Sequence, residues 1–182
     1  MPYTPPPELA GLTLAQIAEA VAERRLPPVE QWSPENVGES HMRITADGTW
    51  VHEGSPITRP AMVRAFAGLL KREEGGSYWL VTPYQKLSID VEDACFIATD
   101  VSETEGDLAF RLNTDELVVA GAGTRIRAAG SSEQPAIYVH VRRGCEARLN
   151  RSTYEQLAQI ALERGEDWTV ASGGETFSLL PA

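Results

Sequence analysis

The chain has 182 residues, 42% of them hydrophobic and 23% charged, so its length suits one domain or two small ones with a sizeable core. Its 26 acidic and 16 basic residues give a formal net charge of −10, which argues against duplex nucleic acid as the main partner. A small anion in a local basic pocket remains compatible with this charge.

The first quarter of the chain predicts an extended start, a helix and a hairpin. The run "MPYTPPPELAG" indicates a proline-rich, extended lead-in. Thr13 can cap the N-terminus of a helix that Pro27 and Pro28 end. The run "HMRITADGTWVHE" then predicts a β-hairpin, because Asp47-Gly48 suits the positive φ angles of a tight turn.

A second helix is expected after this hairpin. Thr58 is the predicted N-cap, and Pro60 fits the first turn. The buried stripe of this helix is predicted to consist of Met62, Val63, Phe66, Leu69 and Leu70. Gly75 and Gly76 are expected to end it.

The rest of the chain predicts many short strands and one late helix. The β-rich segments are "SYWLVTP", "QKLSIDVED", "ACFIATDVSE", "DLAFRLN", "ELVVAGA", "TRIRAAG" and "PAIYVHVRRG". The run "RSTYEQLAQIALERGED" has helical spacing, and "WTVAS" and "TFSLL" predict a closing hairpin around Gly173-Gly174. The N–H groups of "ASGG" offer one place where an anion could bind.

The surroundings of the two later helices resemble each other. "WVH" precedes the first and "YVH" the second, and the strands "WLV" and "WTV" follow them. This order predicts an internal duplication of a strand–helix–strand unit. The expected fold class is α+β with two related α/β halves, divided into residues 1–83 and 84–182.

The openings of these two helices are candidate anion sites. Free backbone N–H groups and the helix dipole favour anions there, and Arg59 and Arg151 lie at the two openings. Either arginine can instead pair with a nearby carboxylate or cover apolar surface with its stem. The residues alone leave both readings open.

A long run of the sequence resembles a known family. The stretch "MRITADGTWVHEGSPITRPAMVRAFAGLLKREEGGSYWLVTPYQKLSIDVEDACF" is similar to the DUF1285 family, as are "RGCEARLNRSTYEQLA" and "WTVASGGETFSLL". The resemblance implies an α+β protein with two related halves, the C-terminal one superficially like pleckstrin-homology folds. It also implies a nucleotide-like ligand between the halves and a role in bacterial signal transduction, including responses to stress. It supplies no catalytic residue.

Enzyme motifs are missing from the sequence. His52 and Glu53 are neighbours, so on a strand they point to opposite faces and cannot share a metal. No nucleophile elbow, phosphate-binding loop or dinucleotide fingerprint is present. Four acids, Asp47, Glu53, Glu92 and Asp93, leave a Mg²⁺ site open as an alternative.

The two cysteines, Cys95 and Cys145, form no CxxC pair and no zinc spacing. They are expected to be reduced thiols of a cytoplasmic protein, with a redox-sensing role as the alternative. No apolar run approaches a membrane span, and the start does not resemble a signal peptide.

The leading hypothesis is a non-enzymatic regulatory module that binds a small anionic, nucleotide-like ligand between its halves. No catalytic residue, metal or cofactor is assigned. The predicted ligand-binding residues are Arg43, Trp50, Arg59, Lys86, Arg148 and Arg151. Trp50 is a candidate for stacking on a base, and also for the core. The alternatives are a metal-dependent phosphoester hydrolase and a module that docks a protein partner without a small ligand.

Overall fold

The computed structural model describes residues 8–23, 25–165 and 167–181 as mixed α+β structure, in agreement with the predicted fold class. The proline-rich start up to Pro7 lies outside these residues. The α-helices of the described part are α1 (Leu14–Glu23), α2 (Pro60–Ala67) and α3 (Arg151–Arg164), and short 3-10 helices span Leu9–Gly11 and Val29–Gln31. Within the same part, no helix is long and apolar enough to cross a membrane.

The first six-stranded sheet takes its strands from residues 36–91. They are β1 (Asn36–Ile44), β2 (Trp50–His52), β3 (Ser55–Pro56), β4 (Leu70–Arg72), β5 (Tyr78–Val81) and β6 (Gln85–Val91). Their order is β3-β2-β1-β6-β5-β4, and only the central pair, β1 and β6, is parallel among them. β6 therefore belongs to this sheet, although it lies C-terminal to the expected division at residues 83 and 84. The predicted hairpin is confirmed, since Met42 of β1 lies opposite His52 of β2.

The second six-stranded sheet takes its strands from residues 96–149. Its strands are β7 (Phe96–Thr104), β8 (Asp107–Leu112), β9 (Leu117–Val119), β10 (Ile126–Gly130), β11 (Pro135–Arg142) and β12 (Cys145–Leu149). Their order is β10-β11-β12-β7-β8-β9, again with a parallel central pair, β12 and β7. In both sheets the chain runs from the centre to one edge, crosses to the other edge and returns to the centre.

A small hairpin of β13 (Thr169–Ser172) and β14 (Glu175–Ser178) docks against the second sheet. The Ser172 hydroxyl accepts a bond from Leu108 N at 2.8 Å and donates one to Ala120 O at 2.8 Å. Gly173 N donates to the Asp107 carboxylate at 2.8 Å. The "ASGG" turn thus holds the hairpin in place, and its Gly173 N–H group is already bonded within the protein.

The helix α2 differs from its prediction at both ends. Arg59, not Thr58, occupies the N-cap position, and no side chain caps it. Pro60 lies at the first helical position, as expected. The helix ends at Ala67, and Leu70 belongs to β4, where it is buried in the core. Leu70 continues the apolar spacing of the helix past Ala67, but it lies on a strand.

The N-terminal segment packs on the second half of the chain. Thr13 caps α1 as predicted, because its hydroxyl accepts from Gln16 N while the Gln16 side chain accepts from Thr13 N. Leu9 and Ile17 are fully buried against Ala109 and Leu117. The segment therefore covers apolar surface near β8 and β9.

Two arginines, the last residue of β11 and the first residue of the turn that follows it, join the halves. Arg143 donates to Gly68 O at 2.8 Å and to Pro27 O at 2.7 Å. Arg142 donates to Ala67 O at 3.2 Å and forms an ion pair with Glu116. These carbonyls lie at or near the end of α2, where a cation is favoured by the helix dipole. One hydrophobic core, including Trp50 and Phe96, runs across the same junction.

Candidate functional site

A groove of about 770 Å³ lies where the turn between β1 and β2 meets the second sheet. Ala46 and Asp47 line it from the first half, and the second half supplies the remaining lining. Its apolar lining includes Ile97, Ile137 and Leu149. The groove therefore combines an apolar surface with polar groups at the place where the halves meet, which is where ligand sites are commonly found.

The turn that forms one wall is held tightly. The Asp47 carboxylate accepts from the Thr45 hydroxyl and from Thr49 N, and these hydrogen bonds lower the pKa of Asp47. Gly48 has a φ of +89°, and a Cβ there would lie 2.6 Å from Cγ1 of Ile97. The Asp-Gly pair thus serves both the tight turn and the close approach of the halves.

Arg148 is the best-positioned cation of the groove. It donates through Nη1 to Oδ2 of Asp93 at 2.7 Å, and this bond raises the pKa of Arg148. The Tyr138 hydroxyl donates to the other Asp93 oxygen at 2.6 Å. Burial and then the bond to Asp93 raise the pKa of Tyr138. Since two neighbours hold Asp93, the guanidinium of Arg148 is fixed while 42% of its side chain stays exposed.

Arg151 lies at the first position of α3 and also lines the groove. Its side chain is 93% exposed, and its ion pair with Glu155 at 3.2 Å is the kind of surface pair that contributes little. Asn150 caps the helix by accepting from Thr153 N at 2.9 Å. Arg148 and Arg151 are thus placed with the N-terminus of a 14-residue helix.

Replacing Asn150 with alanine is expected to lower the free energy of unfolding by about 1 kcal/mol, because the Thr153 N–H group loses its acceptor. Chemical denaturation of the variant and the wild type measures this. Ser152→Ala is the matched control, since the Ser152 hydroxyl lies in an exposed side-chain contact with Gln156. An equal loss in both variants would contradict a capping role for Asn150.

The other predicted ligand-binding residues lie elsewhere. Arg43 lies 3.5 Å from Glu92 and lines a separate groove of about 450 Å³ on the first sheet. Lys86 pairs with Glu73 at 2.5 Å and lies over the Trp79 ring. Each of these cations therefore already has a carboxylate neighbour outside the large groove.

Arg59 and Trp50 also lie outside the large groove. Arg59 is exposed at the start of α2. Trp50 is 2% exposed and packs on Phe66 with ring centroids 6.3 Å apart, so it is a core residue and offers no face to a base. Of the six predicted residues, the large groove brings together Arg148 and Arg151.

The four acids considered for a metal are separated by their contacts. Glu92 accepts from Ala46 N at 2.8 Å and lies beside Arg43, whereas Asp93 holds Arg148 and Tyr138. Within residues 8–23, 25–165 and 167–181, no group of three or more histidine, cysteine or acidic side chains is placed to hold a metal ion.

Sequence reasoning missed Asp93 and Tyr138 as partners of Arg148, and Asn150 as the cap of α3. Asn directly before a periodic apolar run is a recognised capping signal, so Asn150 was open to prediction. Asp93 lies in the connection between β6 and β7, 45 positions before Tyr138 of β11, and the two meet only in the folded chain. No local pattern indicates that contact.

Comparison with known proteins gives a consistent result along the chain. Residues 27–94 match the family model "Domain of unknown function (DUF1285), N-terminal domain". Residues 95–179 match "Protein of unknown function (DUF1285), C-terminal domain". The two matches meet between residues 94 and 95, close to the boundary between the two sheets. A search of the curated proteins finds no match.

Two crystal structures are similar to the whole fold or to most of it. A DUF1285 family protein from Silicibacter pomeroyi DSS-3 is 39% identical, with a TM-score of 0.78 over 92% of this chain and 94% of that one. A DUF1285 family protein from Shewanella baltica OS155 is 21% identical, with a TM-score of 0.54 over 65% of this chain and 90% of that one. The second likeness concerns the fold alone.

Proposed function

The chain belongs to the DUF1285 family, and we propose that it is a non-enzymatic regulatory module that binds a small anionic, nucleotide-like ligand in the large groove. The observation that carries the proposal is the position of Arg148. This guanidinium is held by Asp93 beside the N-terminus of α3, in a groove that both halves line.

The charges of the groove suit an anion with a small number of negative groups. Arg148 is already oriented, so little conformational entropy is lost when it binds a ligand. Arg151 is exposed, and turning it from Glu155 to a stronger acceptor costs little. The backbone N–H groups and dipole of α3 add to the attraction. A phosphate group at this end of the groove has charge-assisted donors available.

The rest of the groove is lined by apolar and acidic side chains, which favours a nucleotide-like molecule over inorganic phosphate. Ile97, Ile137 and Leu149 offer apolar contact to a flat ring. Glu133 and Asp47 add carboxylates to the lining, which accept from amino groups such as those of a base. These same acids repel an extended polyanion, in keeping with the net charge of −10.

The proposal includes an internal duplication. Its support is the shared strand order of the two sheets, each with one parallel pair at its centre. The repeating unit in this reading is the whole six-stranded sheet. It differs from the strand–helix–strand unit expected from the sequence, because α3 is followed by a separate hairpin. A pleckstrin-homology-like second half belongs to the same proposal, supported by the strongly β character of that half.

In the proposed role the ligand shifts how the halves sit, and a protein partner reads the shift in a signalling response. The groove is suited to this because the turn at Gly48 and the sheet carrying Ile97 belong to different halves. A cytoplasmic location is part of the proposal. Its support is that Cys95 and Cys145 are free thiols, as is usual in a reducing compartment.

A thermal-shift titration with mononucleotides, cyclic nucleotides and dinucleotides tests the proposal. A nucleotide is expected to raise the melting temperature saturably, since a ligand that binds only the folded state stabilises it. Arg148→Met is expected to weaken binding about 10- to 100-fold through loss of charge-assisted bonds. Arg125→Met is the control, because Arg125 pairs with Glu175 and does not line the groove.

The outcomes separate the three candidate functions. Nucleotide binding that is equally strong in Arg148→Met would contradict the groove as the site. Metal-dependent hydrolysis of a phosphoester would favour the hydrolase. The absence of any nucleotide or metal effect would favour the docking module, and a partner would then be sought by pull-down.

A further inference from the structure

Cys95 and Cys145 lie together at the junction of the halves, although 50 positions separate them in the chain. Cys95 directly precedes β7 and Cys145 begins β12, and these strands are neighbours with Phe96 opposite Ala147. Each cysteine is 1% exposed within one core cluster. Each thiol is the largest single influence on the pKa of the other. In this register Cys95 falls opposite Glu146, one residue from Cys145. A strand spacing of about 4.8 Å and an offset of about 3.3 Å place the two Cα atoms roughly 6 Å apart, within the range that disulfides span.

Three arginines surround this pair. The hydrogen bond from Cys95 and then the positive charges of Arg142, Arg143 and Arg72 lower the pKa of Cys145, against the opposing effect of burial. The same bond and burial raise the pKa of Cys95 well above its ordinary value. The pair thus has one sulfur favoured as thiolate and one held as thiol, which is the asymmetry that thiol oxidation needs.

The acidic partners of these arginines and the nearby Tyr78 do not remove the difference in pKa between the two thiols. Arg142 pairs with Glu116 and Arg143 with Glu30, so part of their positive charge is balanced. Tyr78 is close to both thiols, and burial raises its pKa to about 12, so it stays uncharged at neutral pH. A buried structural cysteine usually has apolar neighbours, and the arginines set this pair apart from that pattern.

We propose that Cys95 and Cys145 form a reversible intramolecular disulfide when the protein meets a hydroperoxide, so that β7 and β12 become covalently joined at the junction of the halves. The proposal is independent of ligand binding in the groove. It assigns a function to the two cysteines that the groove does not use.

The chemistry is a two-step oxidation with hydrogen peroxide as the oxidant. The Cys145 thiolate attacks one peroxide oxygen, the O–O bond breaks, and the departing hydroxide takes a proton to become water. The Cys95 sulfur then attacks the sulfenic sulfur of Cys145, the S–O bond breaks, and the second hydroxide takes the Cys95 proton. Two thiols and one peroxide thereby give one disulfide and two waters, and a small dithiol reductant reverses the change.

The test treats the folded, full-length protein with increasing hydrogen peroxide, then blocks remaining thiols with an alkylating reagent under denaturing conditions. We expect intact mass to show both alkylation sites lost together, with the loss of two hydrogen atoms and no added oxygen. Peptide mapping should find Cys95 joined to Cys145 within one chain, and dithiothreitol should restore both thiols. The denatured chain under the same peroxide gives the reference for unrestricted oxidation.

Variants in which one cysteine is replaced by serine show which sulfur reacts first. In Cys145→Ser the remaining Cys95 should keep its thiol at peroxide levels that close the wild-type pair, whereas Cys95→Ser should stop at an oxygenated Cys145. The proposal is overturned if native wild-type protein keeps both thiols under peroxide that fully oxidises the denatured chain. Disulfides between chains, or oxygen added to Cys145 while Cys95 stays reduced, would overturn it as well. The wild-type experiment decides the matter even if a serine variant fails to fold.

Discussion

Replacing Arg143 with methionine is expected to lower the free energy of unfolding by about 2–4 kcal/mol, because three hydrogen bonds across the junction are lost. The Arg143 side chain is 5% exposed and donates to Gly68 O, Pro27 O and the Glu30 carboxylate. Gly68 is buried and Pro27 is half-buried, and their carbonyls would lose a charged donor. Methionine keeps much of the stem volume, so the effect measures the guanidinium.

Urea denaturation of the wild type and Arg143→Met gives the difference. Arg151→Met is the matched control, because Arg151 is 93% exposed and its loss should change stability by less than about 0.5 kcal/mol. Similar losses in the two variants would contradict the role of Arg143 in joining the halves.

The pH dependence provides a second readout for the same variant. The hydrogen bond from Arg143 is the main reason that the pKa of Glu30 is lowered, with smaller contributions from its own backbone and the charges of Arg143 and Lys71. A carboxyl with a lowered folded-state pKa adds stability above its unfolded pKa, and this is lost as pH falls through the folded value. The stability gap between wild type and variant should therefore narrow as pH falls below about 4.3. A gap that is constant with pH would show that Glu30 is not coupled to Arg143.

Much of the fold follows from local patterns that act within a few residues. The Asp47-Gly48 turn and the Thr13 cap were predictable because a turn or cap needs particular residue types at fixed positions. The end of α2 was not, since Leu70 continues a helical apolar stripe yet pairs with Leu80 in a strand. Tertiary pairing overrides propensity there.

The candidate site was predictable only in part. Arg148 and Arg151 lie within a few residues of a helix start, and helix starts can be recognised from sequence. Arg43 and Lys86 were expected to contact the same ligand from the other side, but each lies near a carboxylate of the first half, Glu92 and Glu73. The side-chain contacts of Asp93 with Tyr138 and Arg148 depend on which strands become neighbours. Such pairing is a property of the whole topology and leaves no mark on any single segment.

Gly173→Ala is expected to destabilise the protein by about 2–5 kcal/mol, the sum of overpacking and left-handed backbone strain. Gly173 has a φ of +58°, and an added Cβ would lie 2.7 Å from Ala120 O and 2.8 Å from Cα of Gly121. Both are backbone atoms, so neither can rotate away. The hairpin of β13 and β14 would have to move from the second sheet, which also weakens the buried bonds of Ser172.

Gly174→Ala separates the cost of overpacking from the cost of left-handed backbone strain. Gly174 has a φ of +79°, but no atom of the residues that the structure describes lies within 4 Å of its added Cβ, so only the strain of about 1–2 kcal/mol should appear. Denaturation of both variants gives the difference, and hydrogen exchange at Leu108 N reports whether the hairpin has detached. If the two alanines cost the same, contact between Gly173 and the Ala120–Gly121 backbone is not what holds the hairpin. A larger cost at Gly173 with faster exchange at Leu108 would mean that the family-matched "ASGG" turn closes the second sheet by close packing.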